Sequence, residues 1–169
     1  MYKEIFSTPL WIKDIDPKKL DLVSHNFKPS WLSETPSSFG EENNKMTQEG
    51  MIYLKTQILQ CLSDLKIKDC SVFQIWRNIY EDDFQERHMH VKSHFSFSIY
   101  EKLSRPQTIF YHPAHDMIYA TQVEDYISPY LEPKVKQNQI VIFPSYVEHL
   151  VKRSHNSMTI SGNIKAIKA

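Results

Sequence analysis

His88-Met-His90-Val-Lys-Ser93-His-Phe-Ser96-Phe-Ser-Ile-Tyr100, taken with Ile140-Val-Ile-Phe-Pro-Ser-Tyr-Val-Glu-His149, decides the reading of this chain. Two histidines stand two residues apart where the sequence predicts a strand over 88–91. A third follows after further strands and a turn. Alternate side chains of a strand share one face. His88 and His90 are therefore expected to aim at one point, with His149 reaching it from a neighbouring strand. Three imidazoles converging from two strands form a metal site that keeps open positions for chemistry.

Working outward, Ser71–Tyr80 alternates and is rich in β-formers. Val72, Gln74, Trp76, Asn78 and Tyr80 share one face; Phe73, Ile75, Arg77 and Ile79 share the other. Further strands are expected around 94–101, 107–112, 117–121, 139–144 and 157–164, with prolines at 113, 129, 133 and 144 punctuating the ends. Upstream, Met51, Leu54, Ile58, Cys61, Leu62 and Leu65 recur at steps of three and four, which marks an amphipathic helix over 49–66. Asp16-Pro17 has the form of a helix start, with Asp16 as cap and Pro17 at the first helical position. Residues 4–13 suggest a strand interrupted at Pro9. Residues 28–48, with two prolines, Gly40 and several serines, suggest a long loop lying over a site. Helices early and many short strands later predict a mainly β, α+β protein, a sandwich or barrel with helices on one side.

The chain has 169 residues, enough for a single domain with a real core. We expect residues 1–70 to support a barrel formed by 71–169. The 20 basic and 20 acidic side chains balance, so no net field draws the chain to nucleic acid or an anionic membrane. No apolar run approaches the ~18 residues of a membrane span. The opening Met1-Tyr-Lys-Glu-Ile-Phe lacks the apolar stretch of a secretory signal. Cys61 and Cys70 are too few for a disulfide framework and read as free thiols. The expected location is the cytoplasm, that of the host if the gene is phage-borne. With three glycines, no phosphate-cradling loop exists.

A His-x-His pair serves several metal chemistries. Hydrolases of the His-x-His-x-Asp-His type need an aspartate where this chain has Lys92. Amidohydrolase barrels need a longer chain. A cupin needs a glutamate soon after the pair, and residues 93–97 are Ser-His-Phe-Ser-Phe. His94, His112 and His115 read as surface histidines, Trp76 and Phe110 as core, Ser93 and Ser96 as strand polar groups, and Glu148 as solvent-facing.

Residues 72–164 resemble the iron(II)- and 2-oxoglutarate-dependent oxygenases, in the branch common in marine bacteria and their phages. The resemblance runs through ordered blocks. These are Trp76-Arg-Asn78-Ile-Tyr80, the His88–Tyr100 segment, Phe110-Tyr-His-Pro113, Ile140–His149 and Thr159-Ile-Ser161-Gly-Asn163-Ile, with Ile5-Phe-Ser-Thr-Pro9 typical of the start. It implies a double-stranded β-helix, the jelly-roll or cupin-like barrel. It also implies Fe(II) on His88, His90 and His149, with His90 where the wider family has aspartate. 2-Oxoglutarate would be the co-substrate. Its oxidative decarboxylation to succinate and carbon dioxide would drive attack on a C–H bond of a prime substrate that the sequence does not name. Three neutral imidazoles would leave the metal centre at +2. Tyr100, Asn78, Asn163 and Ser157 are candidate co-substrate contacts.

One position departs from the family. An arginine that clamps the distal carboxylate is expected about eight residues after the last histidine, where this chain has Ser157. Serine offers no bidentate charged pair. Lys92, Arg105, Lys152, Arg153 and His155 are the candidate substitutes. That absence keeps open a metal-binding pseudoenzyme or binding protein on the same scaffold, and a cupin-like metalloprotein with another co-substrate. Oligomeric state is open, a homodimer included.

Overall fold

The computed structural model describes residues 7–30, 33–105 and 107–168. In chain order the strands and helices are β1 (Trp11–Asp14), β2 (Leu22–Ser24), β3 (Lys28–Pro29), β4 (Pro36–Ser37), β5 (Asn44–Met46), α1 (Gln48–Cys61), β6 (Ile67–Tyr80), β7 (Asp83–His88), β8 (Phe95–Lys102), β9 (Thr108–Tyr111), α2 (His115–Ala120), β10 (Tyr130–Leu131), β11 (Gln139–Pro144), β12 (His149–Ser154) and β13 (Ser157–Lys168). The major sheet runs β1-β11-β8-β13-β6-β4-β3. The minor sheet runs β10-β9-β12-β7, and β2 pairs with β5. Every pairing is antiparallel. The two main sheets face each other as the double-stranded β-helix that the sequence blocks imply.

Alternation along the long strands separates two environments. Phe97 and Ile99 on β8, Ile140 and Ile142 on β11, and Ile160 and Ile164 on β13 are buried on the outer face of the major sheet. There they join Leu54, Ile58 and Leu62 of the α1 segment. Each such aliphatic side chain removed from water contributes about 1.5–3 kcal/mol. The opposite residues face the inside of the barrel. Val141, Phe143, Tyr100, Phe110 and Val147 form a smaller core there, and Ser98, Thr159, Ser161 and Asn163 line a cavity beside it.

Local chemistry accounts for the helix and its seat. Thr47 caps α1 by accepting from the Gly50 amide at 3.2 Å. Gly50 lies against the chain before β2: a Cβ there would stand 2.0 Å from the Leu20 carbonyl oxygen, so no larger residue fits. The Asp16 side chain accepts from the Lys18 amide, and Pro17 opens the following 3-10 turn.

Several expectations are corrected. Residues 117–121 are not a strand; α2 occupies 115–120. The strand expected at 88–91 ends at His88, and its body is the preceding Asp83–His88. β12 was not anticipated, although it begins at a metal-candidate histidine. The 28–48 stretch is stitched by β3, β4, a 3-10 turn at Glu41–Asn43 and β5, and is no free loop. The expected first strand is found at Trp11–Asp14, and its residues 4–6 lie outside the described residues.

Candidate metal centre

His88 closes β7 and His149 opens β12, and the two are register partners across the minor sheet. His90 lies beyond the strand end, on irregular chain held to the 145 turn by its own amide, which donates to the Ser145 carbonyl at 3.0 Å. One ring nitrogen from each of the three histidines lies within 4.8 Å of the other two. Ring centroids are 4.3 Å apart for His88–His149, 5.2 Å for His90–His149 and 5.4 Å for His88–His90. Among the described residues no carboxylate joins this group. A carboxylate there would favour the cupin-like reading.

All three rings are oriented from behind. Nδ1 of His88 lies 2.7 Å from the Glu86 carbonyl, Nδ1 of His90 2.7 Å from the Asn163 side-chain oxygen, and Nδ1 of His149 3.1 Å from the Val147 carbonyl. A carbonyl oxygen only accepts, so each Nδ1 carries the proton and donates. Each Nε2 is then left with a bare lone pair, the form that binds a metal. Burial keeps the rings neutral. Desolvation pushes His90 down to about 4, helped by His88 and opposed by the bond to Asn163. Desolvation, then His88 and His90, hold His149 well below the ordinary imidazole value. Desolvation also lowers His88, against its bond to Glu86. This donor set fits a divalent first-row cation, and three neutral ligands leave its charge undiminished.

Behind His90 runs a chain of short polar contacts. Asn163 donates to Gln74 Oε1 at 2.7 Å and accepts from Ser96 at 2.9 Å. Ser96 and Ser93 each lie 2.8 Å from the Ser145 hydroxyl. The two serines are therefore more than strand polar groups: they tie the His90 segment to the turn that delivers His149. Their closeness to the His-x-His pair and the buried strand before Ser145 were the available signals. On the apolar side Phe143 packs edge-on to His149 with centroids 4.7 Å apart, and Trp76 stacks on His90 at 5.8 Å. Trp76 also lines the cavity, so it is not simply core; Phe110 is, packed between Phe143 and His149.

The cavity in front of the histidines has a volume of about 510 Å³. Its rim includes the exposed Phe39, Met89 and Val91. Its buried end is formed by Asn78, Tyr80, Gln85, Thr108 and Thr159. No aspartate or glutamate is among the described lining residues, and Lys28 and Lys92, both exposed, are the lysines.

A family model described as "Putative 2OG-Fe(II) oxygenase" matches residues 74–162, more than half of the chain. The chain belongs to this family of 2-oxoglutarate- and iron(II)-dependent oxygenases. Its cofactors are accordingly Fe(II) and 2-oxoglutarate. The fold of the oxygenase is similar to solved structures at low identity. A prolyl-4-hydroxylase of Pseudomonas putida is 11% identical, with 94% of this chain and 93% of that chain covered and a TM-score of 0.57. An oxidoreductase of the 2OG-Fe(II) oxygenase family from Burkholderia pseudomallei is 10% identical, with coverage of 83% and 72% and a TM-score of 0.55. HygX of Streptomyces hygroscopicus, solved with nickel, 2-oxoglutarate and hygromycin B, is 8% identical, with coverage of 94% and 83% and a TM-score of 0.53. No curated protein matches the chain.

Of the expected co-substrate contacts, Asn78 and Asn163 line the cavity and Tyr100 and Ser157 do not. Tyr100 is buried one layer behind, donating to Thr108 at 2.8 Å, and Thr108 lines the cavity. Desolvation pushes the Tyr100 phenol up to about 12. Ser157 lies at the start of β13, with its hydroxyl 3.1 Å from that of Ser104. The β13 residue that faces the cavity's buried end is Thr159. Strand register, which a spacing estimate does not supply, sets that difference. The candidate replacement cations are mostly engaged elsewhere. Arg105 donates to the Arg153 carbonyl at 2.8 Å, Lys152 pairs with Glu132, and Arg153 with Asp82. Lys92 stands on the rim. His115, expected at the surface, is buried and meets Arg87, whose guanidinium lies 2.6 Å from its Nε2. Glu148 pairs with Arg87 at 3.5 Å.

Proposed function

We propose that His88, His90 and His149 hold Fe(II), and that the oxygenase hydroxylates a C–H bond of a prime substrate entering over Phe39, Met89 and Val91. One observation carries the reading: three imidazoles meet with every Nδ1 proton tied to a carbonyl oxygen and every Nε2 free. When bound, Fe(II) and 2-oxoglutarate supply the oxidising chemistry, consuming oxygen and releasing succinate and carbon dioxide.

The chain's own residues do the positioning. Asn163 fixes the tautomer and tilt of His90, whose segment has no strand neighbour to fix it. Glu86 and Val147 do the same for the other two rings through backbone carbonyls, which no side-chain change removes. Phe143, Phe110 and Trp76 close the apolar side and keep water from the ring edges. The open side faces the cavity, where a co-substrate and a substrate C–H bond can lie together.

Anaerobic Fe(II) titration tests the ligand set. His88→Ala and His149→Ala should each abolish tight binding, and unchanged affinity in both would overturn the assignment. Formation of succinate from 2-oxoglutarate without prime substrate then tests the co-substrate separately.

A further inference from the structure

We propose that the buried end of the cavity is a seat, built only from neutral donors, for the far end of the 2-oxo acid. The site consequently binds a 2-oxo acid with an uncharged far end about as well as 2-oxoglutarate. The proposal rests on reading the histidine cluster as the metal centre.

Strand register builds the seat. Tyr100, Thr159, Asn78 and Ser37 are successive partners across β8, β13, β6 and β4, so they form one row on the cavity face of the major sheet. Thr108 meets the row from the minor sheet. Thr108 accepts the Tyr100 proton, which leaves its own hydroxyl proton free to donate. The Tyr80 hydroxyl donates to Gln85 Oε1 at 3.0 Å, and its oxygen also meets the Thr159 and Asn78 side chains.

Asn78 is the informative member. Its Nδ2 is 3.4 Å from the Thr159 hydroxyl. Its Oδ1 is buried without a hydrogen-bond partner. An orphaned buried acceptor costs about 1–3 kcal/mol. A half-turn of the amide lets Thr159 donate to Oδ1 and leaves the Asn78 NH2 as the unpartnered group instead, a donor in place of an acceptor. In the unturned form Asn78 donates to Thr159, whose own proton is released instead. Either way one donor of the pair is left for the Tyr80 oxygen or for a ligand, and Thr108 supplies another. These groups are 1–4% exposed, so bulk water does not meet the need.

Charge is absent from this end. Arg77 neighbours Asn78 in sequence but points to the opposite face, where Glu101 holds it at 2.7 Å. Lys28 extends the same row but stands three strands beyond Thr159, about 14 Å at the usual strand spacing. The electrostatic attraction for the co-substrate is therefore concentrated at the metal end, where three neutral imidazoles leave the cation's full charge for the carboxylate next to the keto group. At the far end a carboxylate makes stronger hydrogen bonds than a neutral carbonyl but loses far more hydration, so without a cation the charge brings it no net advantage.

The test is equilibrium binding with oxygen excluded. Fe(II)-loaded protein is titrated calorimetrically with 2-oxoglutarate and with its 5-methyl ester, which keeps the acceptor and removes the charge. The two dissociation constants should differ by less than tenfold. Thr159→Val, nearly the same shape, should weaken both acids by about fivefold or more. Ser157→Ala, outside the cavity, should leave both unchanged. A tenfold or larger preference for the dianion, or no effect of Thr159→Val in a variant with wild-type melting behaviour, would overturn the neutral seat and leave the metal reading standing. Failure of either acid to bind to protein that does bind Fe(II) would overturn the seat and the 2-oxo-acid reading of the cavity together.

Discussion

His90 shows how a single residue acquires its role from others. It lies past the end of β7, so the strand does not aim it; Asn163 does, from the opposite sheet. Removing that acceptor in Asn163→Leu frees the ring to rotate and strands the Gln74 and Ser96 partners. We predict a ten- to hundredfold loss of Fe(II) affinity, the usual cost of losing a partner that orients a ligand, measured by anaerobic titration. The histidines themselves were legible in the sequence, because His-x-His and a distant histidine form a recognisable ligand pattern. Asn163, Ser96 and Ser145 were less so, because a polar residue inside a β-strand looks the same whether it faces water or a second sheet.

At the scale of elements, β13 carries a tight steric constraint at Gly162. A Cβ on Gly162 would stand 2.4 Å from Phe97 Cζ and 2.7 Å from the Gln74 carbonyl oxygen, and the latter is backbone that cannot yield. Gly162→Ala should destabilise the protein by about 1–3 kcal/mol, the range for overpacking a filled interior, read as a lower midpoint in urea. On the helix side, Ile58 is fully buried between α1 and the major sheet. Ile58→Ala should cost about 2–5 kcal/mol by leaving a cavity, with Fe(II) affinity unchanged because α1 lies on the far side of the sheet from the histidines. The long strands were readable because alternation persists over many residues. The short elements were not. Residues 115–120 carry too few turns to display a helical period, and the β3 and β4 pairs are strands only because β6 offers an edge to pair with.

Across the whole molecule, the N-terminal segment is joined to the barrel by Arg77. Its guanidinium makes two bonds to Glu101, at 2.7 and 3.0 Å, and reaches the Leu22 carbonyl at 3.3 Å. The proposed metal centre joins the molecule differently, with its candidate ligands on β7, on the segment after it and on β12. The unfolded chain does not hold the three rings together, so metal binds the folded state preferentially. Fe(II) at about a hundred times its dissociation constant should add roughly 2.7 kcal/mol of stability. Thermal unfolding under nitrogen should show the midpoint rise, chelator should reverse it, and His149→Ala should not show it. No helix among the described residues is long and apolar enough to cross a membrane.

The sequence by itself determined the mainly β character, the helix on one side, the metal-ligand candidates and the family, because each is written in local periodicity or in ordered blocks of residues. Only the tertiary structure decided which polar residues meet the metal site and which serve the strands. It moved the co-substrate question from Ser157 to Thr159, withdrew Tyr100 to a supporting layer, and left Asn78 with an unmet acceptor at the buried end. The physical reason is register. Ser157 and Thr159 share one face of β13, and which of them stands opposite Asn78 is set by pairings between residues tens of positions apart in the chain.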